Sequence, residues 1–319
     1  MTRHPVLLIA FNRPSKTRMV LEKIRLAAPK RLYVAVDGPR PHAPDDDALC
    51  GQVRDLISFV DWPCRIETLF REDNLGCGRG ASEAISWFFA NEDAGIILED
   101  DILPTRSFFA FCDAMLDKYK DNEQISMIAG SCFAPSRLFE GFSYKFSAFP
   151  LIWGWASWKR AWRHYDYEMR TWPNWDRAAG LANLSRGDRF FENHWRDVFE
   201  RMYRSHNKVT WDYQWLFKNF ECNFKTIVPR NSIVSNIGFD IGATHAGKAP
   251  WYVRKYGASE LHFPVTHPSA CEVDPRLDRY MHRNIFNVSF AHKTKIYLKT
   301  AASLGFFQHS RVDVESCHE

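Results

Sequence analysis

The chain has 319 residues, 45% hydrophobic and 25% charged, which gives room for one large domain, or one with an extension, around a real core. A net charge of +4 without a basic stripe excludes a nucleic-acid binder and fits an anionic ligand or weak attraction to acidic lipid. No run of about 18 apolar residues is present to span a membrane. None of the eight cysteines forms a C-x-x-C pair, so the usual zinc frameworks are excluded. Free thiols and no export signal point to a reducing cytoplasm.

Val6-Leu7-Leu8-Ile9-Ala10-Phe11 is a continuous apolar run stopped by Asn12-Arg13-Pro14, the pattern of a strand buried on both faces. A helix is predicted over about 15–27 and a second strand over 32–36, ended by Asp37-Gly38-Pro39. A polar loop, a helix over about 48–59 and a strand over 65–70 follow. The glycine-rich segment 74–80 leads into a helix to about residue 89, and Gly95-Ile96-Ile97-Leu98 is a fourth strand that ends in three acids. Such alternation argues for an α/β, mostly parallel sheet with helices on both faces. Short strands are expected near Met127 and Tyr144 and at 226–228, with a Trp-rich loop over 153–162 and helices over 189–205 and 212–219. After about Trp251 the pattern weakens into an extension, with helices near 276–283 and 294–304. The aromatic residues, 15% of the chain and dense between Phe139 and Trp175, suit sugar stacking but read first as core.

Ligands of open α/β sheets bind at the carboxyl ends of strands. Four predicted strand ends carry polar residues: Asn12-Arg13, Asp37-Gly38, 71–80 and Glu99-Asp100-Asp101. In a parallel sheet they share one rim. Hard divalent cations take carboxylate oxygens, often only one or two beside substrate phosphates. Asp101 is therefore expected to reach a metal while Glu99 and Asp100 hold ribose or its surroundings, although acids before a helix also suit its dipole. Asp37 can accept from a base or ribose, or simply mark an Asp-Gly turn. Arg13 can meet phosphate or remain a surface arginine. Gly76-Cys77-Gly78-Arg79-Gly80 lacks the context of a dinucleotide or Walker loop. It still allows close backbone approach, with Arg79 near a diphosphate. Asp212, between Trp211 and Tyr213, suits a proton acceptor or a helix N-cap. His245, in Gly242-Ala243-Thr244-His245-Ala246-Gly247, can ligate metal or contact phosphate.

In this order, residues 6–14, Asp37-Gly38, 74–79, Glu99-Asp100-Asp101, 211–215 and Thr244-His245-Ala246-Gly247 resemble GT-A glycosyltransferases, particularly the N-acetylglucosaminyltransferase I type and related bacterial proteins. The resemblance covers residues 5–248. It implies a GT-A catalytic domain over 1–248, with a nucleotide-sugar half to about 105 and an acceptor half beyond, and an extension over 249–319. It implies manganese (or magnesium) on Asp101 with His245 at the metal–diphosphate end, uracil on Asp37, and Asp212 as the base of an inverting transfer. Tyr213 stands where the family has a second acid. The donor set it implies is Phe11, Asn12, Arg13, Asp37, Asn74, Gly76, Arg79, Glu99 and Asp100, with Trp153, Gly154 and Trp155 along the sugar pocket. The acceptor is a glycan, a lipid-linked sugar or a protein.

Two other readings remain at this stage. Nucleotidylyltransferases carry a basic Gly-rich loop after the first strand, where this chain has Asn12-Arg13-Pro14-Ser15. A non-catalytic carbohydrate-binding or membrane-active protein would use the Trp-rich segment. In the tail, Ile285, Phe286, Val288 and Phe290 precede apolar residues interleaved with Lys293, Lys295 and Lys299. This mixture fits peripheral contact with the inner membrane surface, or packing on the domain, which is the favoured alternative.

Overall fold

The computed structural model describes residues 1–205, 209–239 and 249–286. Its first half contains β1 (Val6–Ala10), α1 (Pro14–Ala27), β2 (Arg31–Val36), α2 (Asp46–Asp55), β3 (Arg65–Phe70), α3 (Gly76–Asn91), β4 (Ala94–Glu99), β5 (Ile102–Pro104) and α4 (Arg106–Lys118). There follow β6 (Ile125–Ala129), β7 (Tyr144–Ser147), β8 (Trp155–Trp158), α5 (Lys159–Trp162), α6 (Arg177–Ser185), α7 (Arg189–Arg204) and α8 (Asp212–Glu221). The last described elements are β9 (Lys225–Pro229), β10 (Val234–Asn236), α9 (Trp251–Lys255) and α10 (Pro275–Asn284).

Among the described residues, one eight-stranded sheet has the order β3-β2-β1-β4-β8-β6-β9-β7. β1 pairs in parallel with both β2 and β4, and β2 with β3. The continuous apolar runs are explained by burial on two faces. Val6, Leu8, Val34 and Leu98 face α1, α2 and α4, whereas Leu7, Tyr33, Ala35 and Ile97 face α3, α5 and α8. α1 takes its place because Pro14 presets its first turn and Thr17, Val20, Leu21 and Ile24 are buried at helical spacing. It ends where Ala28 turns left-handed.

The α/β expectation holds: the β3-β2-β1-β4 half is wholly parallel, and β6 pairs in parallel with β9 in the other half. Beyond β4, β8 runs antiparallel to both β4 and β6, and β7 is antiparallel to β9. The segment expected as a Trp-rich loop is instead β8, in the middle of the sheet, followed by α5. Trp155, Ala156, Ser157 and Trp158 are all buried, so no alternation marks the strand and its aromatic content obscures it. A two-stranded pair, β5 with β10, has no counterpart in the sequence reading.

The aromatic residues are mostly core, as composition favours. Phe149, Phe191, Trp195, Phe199, Phe217 and Phe220 form one cluster beneath α7 and α8, and Leu277 and Met281 of α10 enter it. α10 is fastened to β7 by polar contacts. Asp274 caps the helix through the Arg276 and Leu277 amides. The buried Lys145 ammonium lies 2.6 Å from both Glu140 and Asp274. Residue 273 continues the sheet edge through a parallel bridge to Phe146. Phe286 stacks on Phe149 at 4.8 Å, so the start of the tail packs on the body. Val288, Phe290, the lysine-interleaved segment and the helix expected near 294–304 lie outside the described residues.

Asp278 accepts from Ser147 Oγ at 2.6 Å and from the Ala148 amide at 3.2 Å. Burial nevertheless pushes its carboxyl up to about 7. A folded-state value above the unfolded one means that the stabilisation is fully present below the ordinary carboxylate range and is lost as pH rises through about 7. Melting temperature should therefore fall between about pH 5 and about pH 8. Asp278→Asn should flatten that part of the profile; an unchanged slope would place its origin elsewhere.

Candidate functional site

Parallel pairing puts the ends of β1, β2, β3 and β4 on one rim, and the side chains there meet. Arg13, directly after β1, places Nη1 3.3 Å from Asp100 and 3.1 Å from Asp101. The Phe11 amide donates to Asp100 at 3.3 Å. Asp100 is thereby held inward by β1 and is buried, whereas Asp101 keeps 17% of its side chain exposed. Glu99 shares the strand parity of Ile97, which faces α3 and α8. That orientation explains why its charge is felt with Asp212, the first residue of α8.

The electrostatics are strongly one-sided. Burial first, then repulsion from Asp101, Asp100 and Asp212, pushes Glu99 up to about 8, with Arg13 opposing. Burial also raises Asp100 to about 6, against the pull of Arg13. Desolvation and the nearby Glu99, Asp212 and Asp101 push the Cys77 thiol up to about 12, so it stays protonated at neutral pH. Glu99, Asp100 and Asp101 thus lie near the Arg13 guanidinium, Asp212 is near Glu99 on the α8 side, and Lys16 adds a positive influence on Asp100.

Asp37 serves the local backbone. Its carboxylate accepts from the Leu75 amide at 3.1 Å and the Gly76 amide at 3.0 Å, anchoring the start of α3 against β2. Asn74 completes the tie by donating from Nδ2 to the Gly38 carbonyl at 2.8 Å. Gly76 has a φ of 75°, which favours glycine. Rather than forming an open loop, residues 76–80 are the first turn of α3. Arg79 points among Glu83, Glu168 and the Tyr167 ring. Asn12 donates to Asp46 at 2.7 Å.

Asp212 begins α8, but Trp211 is the residue at the cap position and no side chain caps the helix, so the N-cap reading is corrected. Trp211 is fixed by stacking on Trp155 at 5.8 Å and by the Tyr165 hydroxyl donating to its carbonyl at 3.2 Å. Trp155 is fully buried, and its ring backs this contact instead of lining open space. The Gly154 carbonyl accepts from the Gly130 amide at 2.7 Å. Trp153 is only partly buried and packs edge-on against Phe133 and Phe239. His245 lies outside the described residues.

The sequence reading missed Arg40, Asp46, Cys77 and the turn at Asn236–Gly238. Arg40 binds Asp46 through Nε at 2.6 Å and Nη2 at 3.0 Å and lies over the Phe11 ring, clipping the 37–46 loop beside the rim. Gly238 touches Asp101 so closely that a Cβ there would meet Oδ2 at 2.2 Å. Any side chain there would push the Asp101 carboxylate out of its present place. The glycine itself is visible in sequence, but its partner lies more than a hundred residues away.

Among the described residues, no three His, Cys, Asp or Glu side chains are disposed to hold a metal by themselves. Asp101, mostly buried but with an exposed edge and oxygen-donating, fits a hard cation that completes its shell with phosphate oxygens and water. A separate cavity of about 850 Å³ lies away from the rim, between α1 and α4, and is lined by Lys23, Leu103, Arg106 and Phe109. It holds none of the rim carboxylates. No described helix is long and apolar enough to cross a membrane.

No family model matches the chain, and no curated protein matches it. Among solved structures, HddC from Yersinia pseudotuberculosis is 12% identical over 39% of this chain and 56% of its own, with a TM-score of 0.27. A UDP-glucose pyrophosphorylase complexed with UDP-glucose is 11% identical over 48% of this chain and 64% of its own, with a TM-score of 0.27. The glycosyltransferase GlyE of Streptococcus pneumoniae TIGR4 is 10% identical over 69% of this chain and 44% of its own, with a TM-score of 0.30. The match thus spans less than two thirds of each of these chains. At such values the likeness adds nothing to the sheet order given above.

Asp37→Ala removes an ionised acceptor from two backbone amides and should cost about 2 kcal/mol in a denaturant melt. A loss within about 0.5 kcal/mol, the range of ordinary surface substitutions, would mean that Asp37 does not anchor α3.

Proposed function

We propose that this chain is a metal-dependent, inverting glycosyltransferase that moves a sugar from a nucleotide diphosphate, a UDP-sugar by resemblance, to a hydroxyl of a glycan or glycoconjugate. The observation that carries the proposal is the gathering of Glu99, Asp100 and Asp101 beside Arg13, with Asp212 near Glu99, at the carboxyl rim of four parallel strands. Such a crowding of carboxyl groups, each disfavouring the charge of the next, at the edge where open α/β sheets take ligands, favours a bound cation. The Phe11 to Arg13 segment enters α1 without a glycine loop, which supports transfer over nucleotidyl synthesis.

A divalent cation on Asp101, with His245 assigned to the same end by resemblance, would neutralise charge on the departing diphosphate. The chain's own residues do the rest. Arg13 balances Asp100 and Asp101 and is placed to turn toward a phosphate oxygen. Asp37, with Asn74 and Gly76, sets the edge of the nucleoside pocket. Asp212 takes the acceptor's proton as its oxygen bonds to the anomeric carbon and the bond from that carbon to the diphosphate breaks. Attack from the face opposite the leaving group inverts configuration. Trp153 and its ring partners keep water from the donor.

The decisive measurement is melting temperature against UDP, GDP, CDP and dTDP, each with manganese and with EDTA. A ligand at about a hundredfold excess over its Kd adds about 2.7 kcal/mol of stability. A manganese-dependent rise with one nucleotide is expected, and no rise with any of them would remove the donor site. Pyrophosphate release from a sugar phosphate and a nucleoside triphosphate would instead make the chain a nucleotidylyltransferase.

Two variants separate the roles. Asp101→Ala should abolish the manganese-dependent part of donor binding; donor affinity in manganese equal to wild type would remove the metal assignment. Asp212→Asn should keep donor binding and lose transfer by about a hundredfold or more. Transfer at near the wild-type rate would show that Asp212 is not the base.

A further inference from the structure

A run of aromatic rings leads from the rim to the surface. It starts at Phe239, one residue after the glycine pressed against Asp101 Oδ2. From Phe239 the centroid steps are 5.7 Å to Trp153, 5.2 Å to Phe133, 5.0 Å to Tyr252 and 6.0 Å to Trp251. Tyr256 flanks the outer end at 6.3 Å from Trp251, and its hydroxyl meets that of Tyr280 at 2.5 Å. Phe133, the middle ring of the run, is buried; Trp153 and Tyr252 on either side of it are half-buried, and Trp251 is 41% exposed. Tyr213, beside Asp212, is close enough to feel the charges of both Asp212 and Tyr252. The run therefore begins beside the glycine that touches Asp101, passes Tyr252 near Tyr213, and ends at the exposed Trp251 of α9.

We propose that this strip is the binding surface for the acceptor and that the acceptor is a carbohydrate chain of several units. The assignment rests on the transferase reading above, which puts the reacting end at Asp212. Sugars present apolar C–H faces to aromatic rings and hydroxyls to their polar tips, and the strip offers both. Its rings are tilted or edge-on to one another, at interplanar angles from 58° to 85°, so successive sugar rings would meet walls at changing angles. Accessible rings stand on both sides of the buried Phe133, Trp153 on one and Tyr252 with Trp251 on the other, which gives a chain of sugars more than one ring to meet. Its outer end carries hydroxyls and the Lys255 ammonium, 5.7 Å over Trp251, where a purely apolar lipid or peptide would find no aliphatic floor.

The test uses the full chain without nucleotide, titrated by calorimetry with glucose and maltohexaose, and with N-acetylglucosamine and chitohexaose. At least one hexasaccharide should bind about tenfold or more tighter than its monosaccharide, and Trp251→Ala should weaken that binding about fivefold. Trp251→Phe, which keeps a ring on an exposed position, should restore most of it. Equal affinity for monosaccharide and hexasaccharide, no hexasaccharide binding, or a Trp251→Ala variant that binds as wild type would each overturn the strip. The donor reading is judged separately, by the manganese-dependent nucleotide shift, which Trp251→Ala should retain. Length-dependent sugar binding without any nucleotide shift would overturn the transferase assignment and leave a sugar-binding surface. Loss of length dependence in a protein that keeps the shift would overturn the strip alone.

Discussion

Parallel hydrogen bonding of β1 to β2 on one side and β4 on the other is the constraint on which the site depends. Three polar strand ends, at Arg13, Asp37 and Glu99, come together because Ala10 is registered with Val36 and Ile9 with Glu99. A slip of one residue would turn every apolar side chain of β1 to the opposite face. It would also take the Phe11 amide from Asp100 and the guanidinium from its two carboxylates. The side-chain geometry of the rim is thus fixed by backbone pairing several residues below it. The helices that cover each face hold this register, since Val20 and Ile24 fit only the even-numbered residues of β1.

The charge arrangement follows from the same placement. One rim residue, Asp100, is tucked inward and given an amide and a guanidinium, while Glu99 is turned toward α8 and receives repulsion instead. Neighbouring acids in the chain therefore face different environments because a strand alternates its side chains. The strain of unbalanced charge is concentrated on one side of the sheet, toward Asp212 and Cys77. Stability and charge are coupled there: the carboxyl groups repel one another, and a positive charge brought among them would ease that repulsion.

Much of this was legible in the sequence, and the reasons differ by region. β1, β2 and β4 were readable because doubly covered parallel strands are near-continuous apolar runs ended by polar residues. Their common rim followed from the alternation of elements alone. β8 was hidden because Trp155-Ala156-Ser157-Trp158 has the same look whether it lines a pocket or fills a core. The contacts of Asp46 with Arg40, and of Gly238 with Asp101, involve residues whose meaning is set by a distant partner. Asp37 was noticed, yet its bonds to the Leu75 and Gly76 amides depend on where α3 begins, which no local pattern fixes.

The sheet has two outer strands, and they are protected by different means. β3 carries charge outward, with Arg65 and Glu67 paired along it. β7 is shielded by the segment before α10, where the Asp274 amide donates to Phe146 and Val273 bridges the same residue. An uncovered strand offers its amides and carbonyls to any other chain, and pairing of that kind seeds aggregation. Residues 273–284 thus act as a stopper on lateral growth of the sheet, held in place by Lys145 between two carboxylates. The segment that looks most like an appendage in the sequence is what keeps one molecule from adding itself to the next.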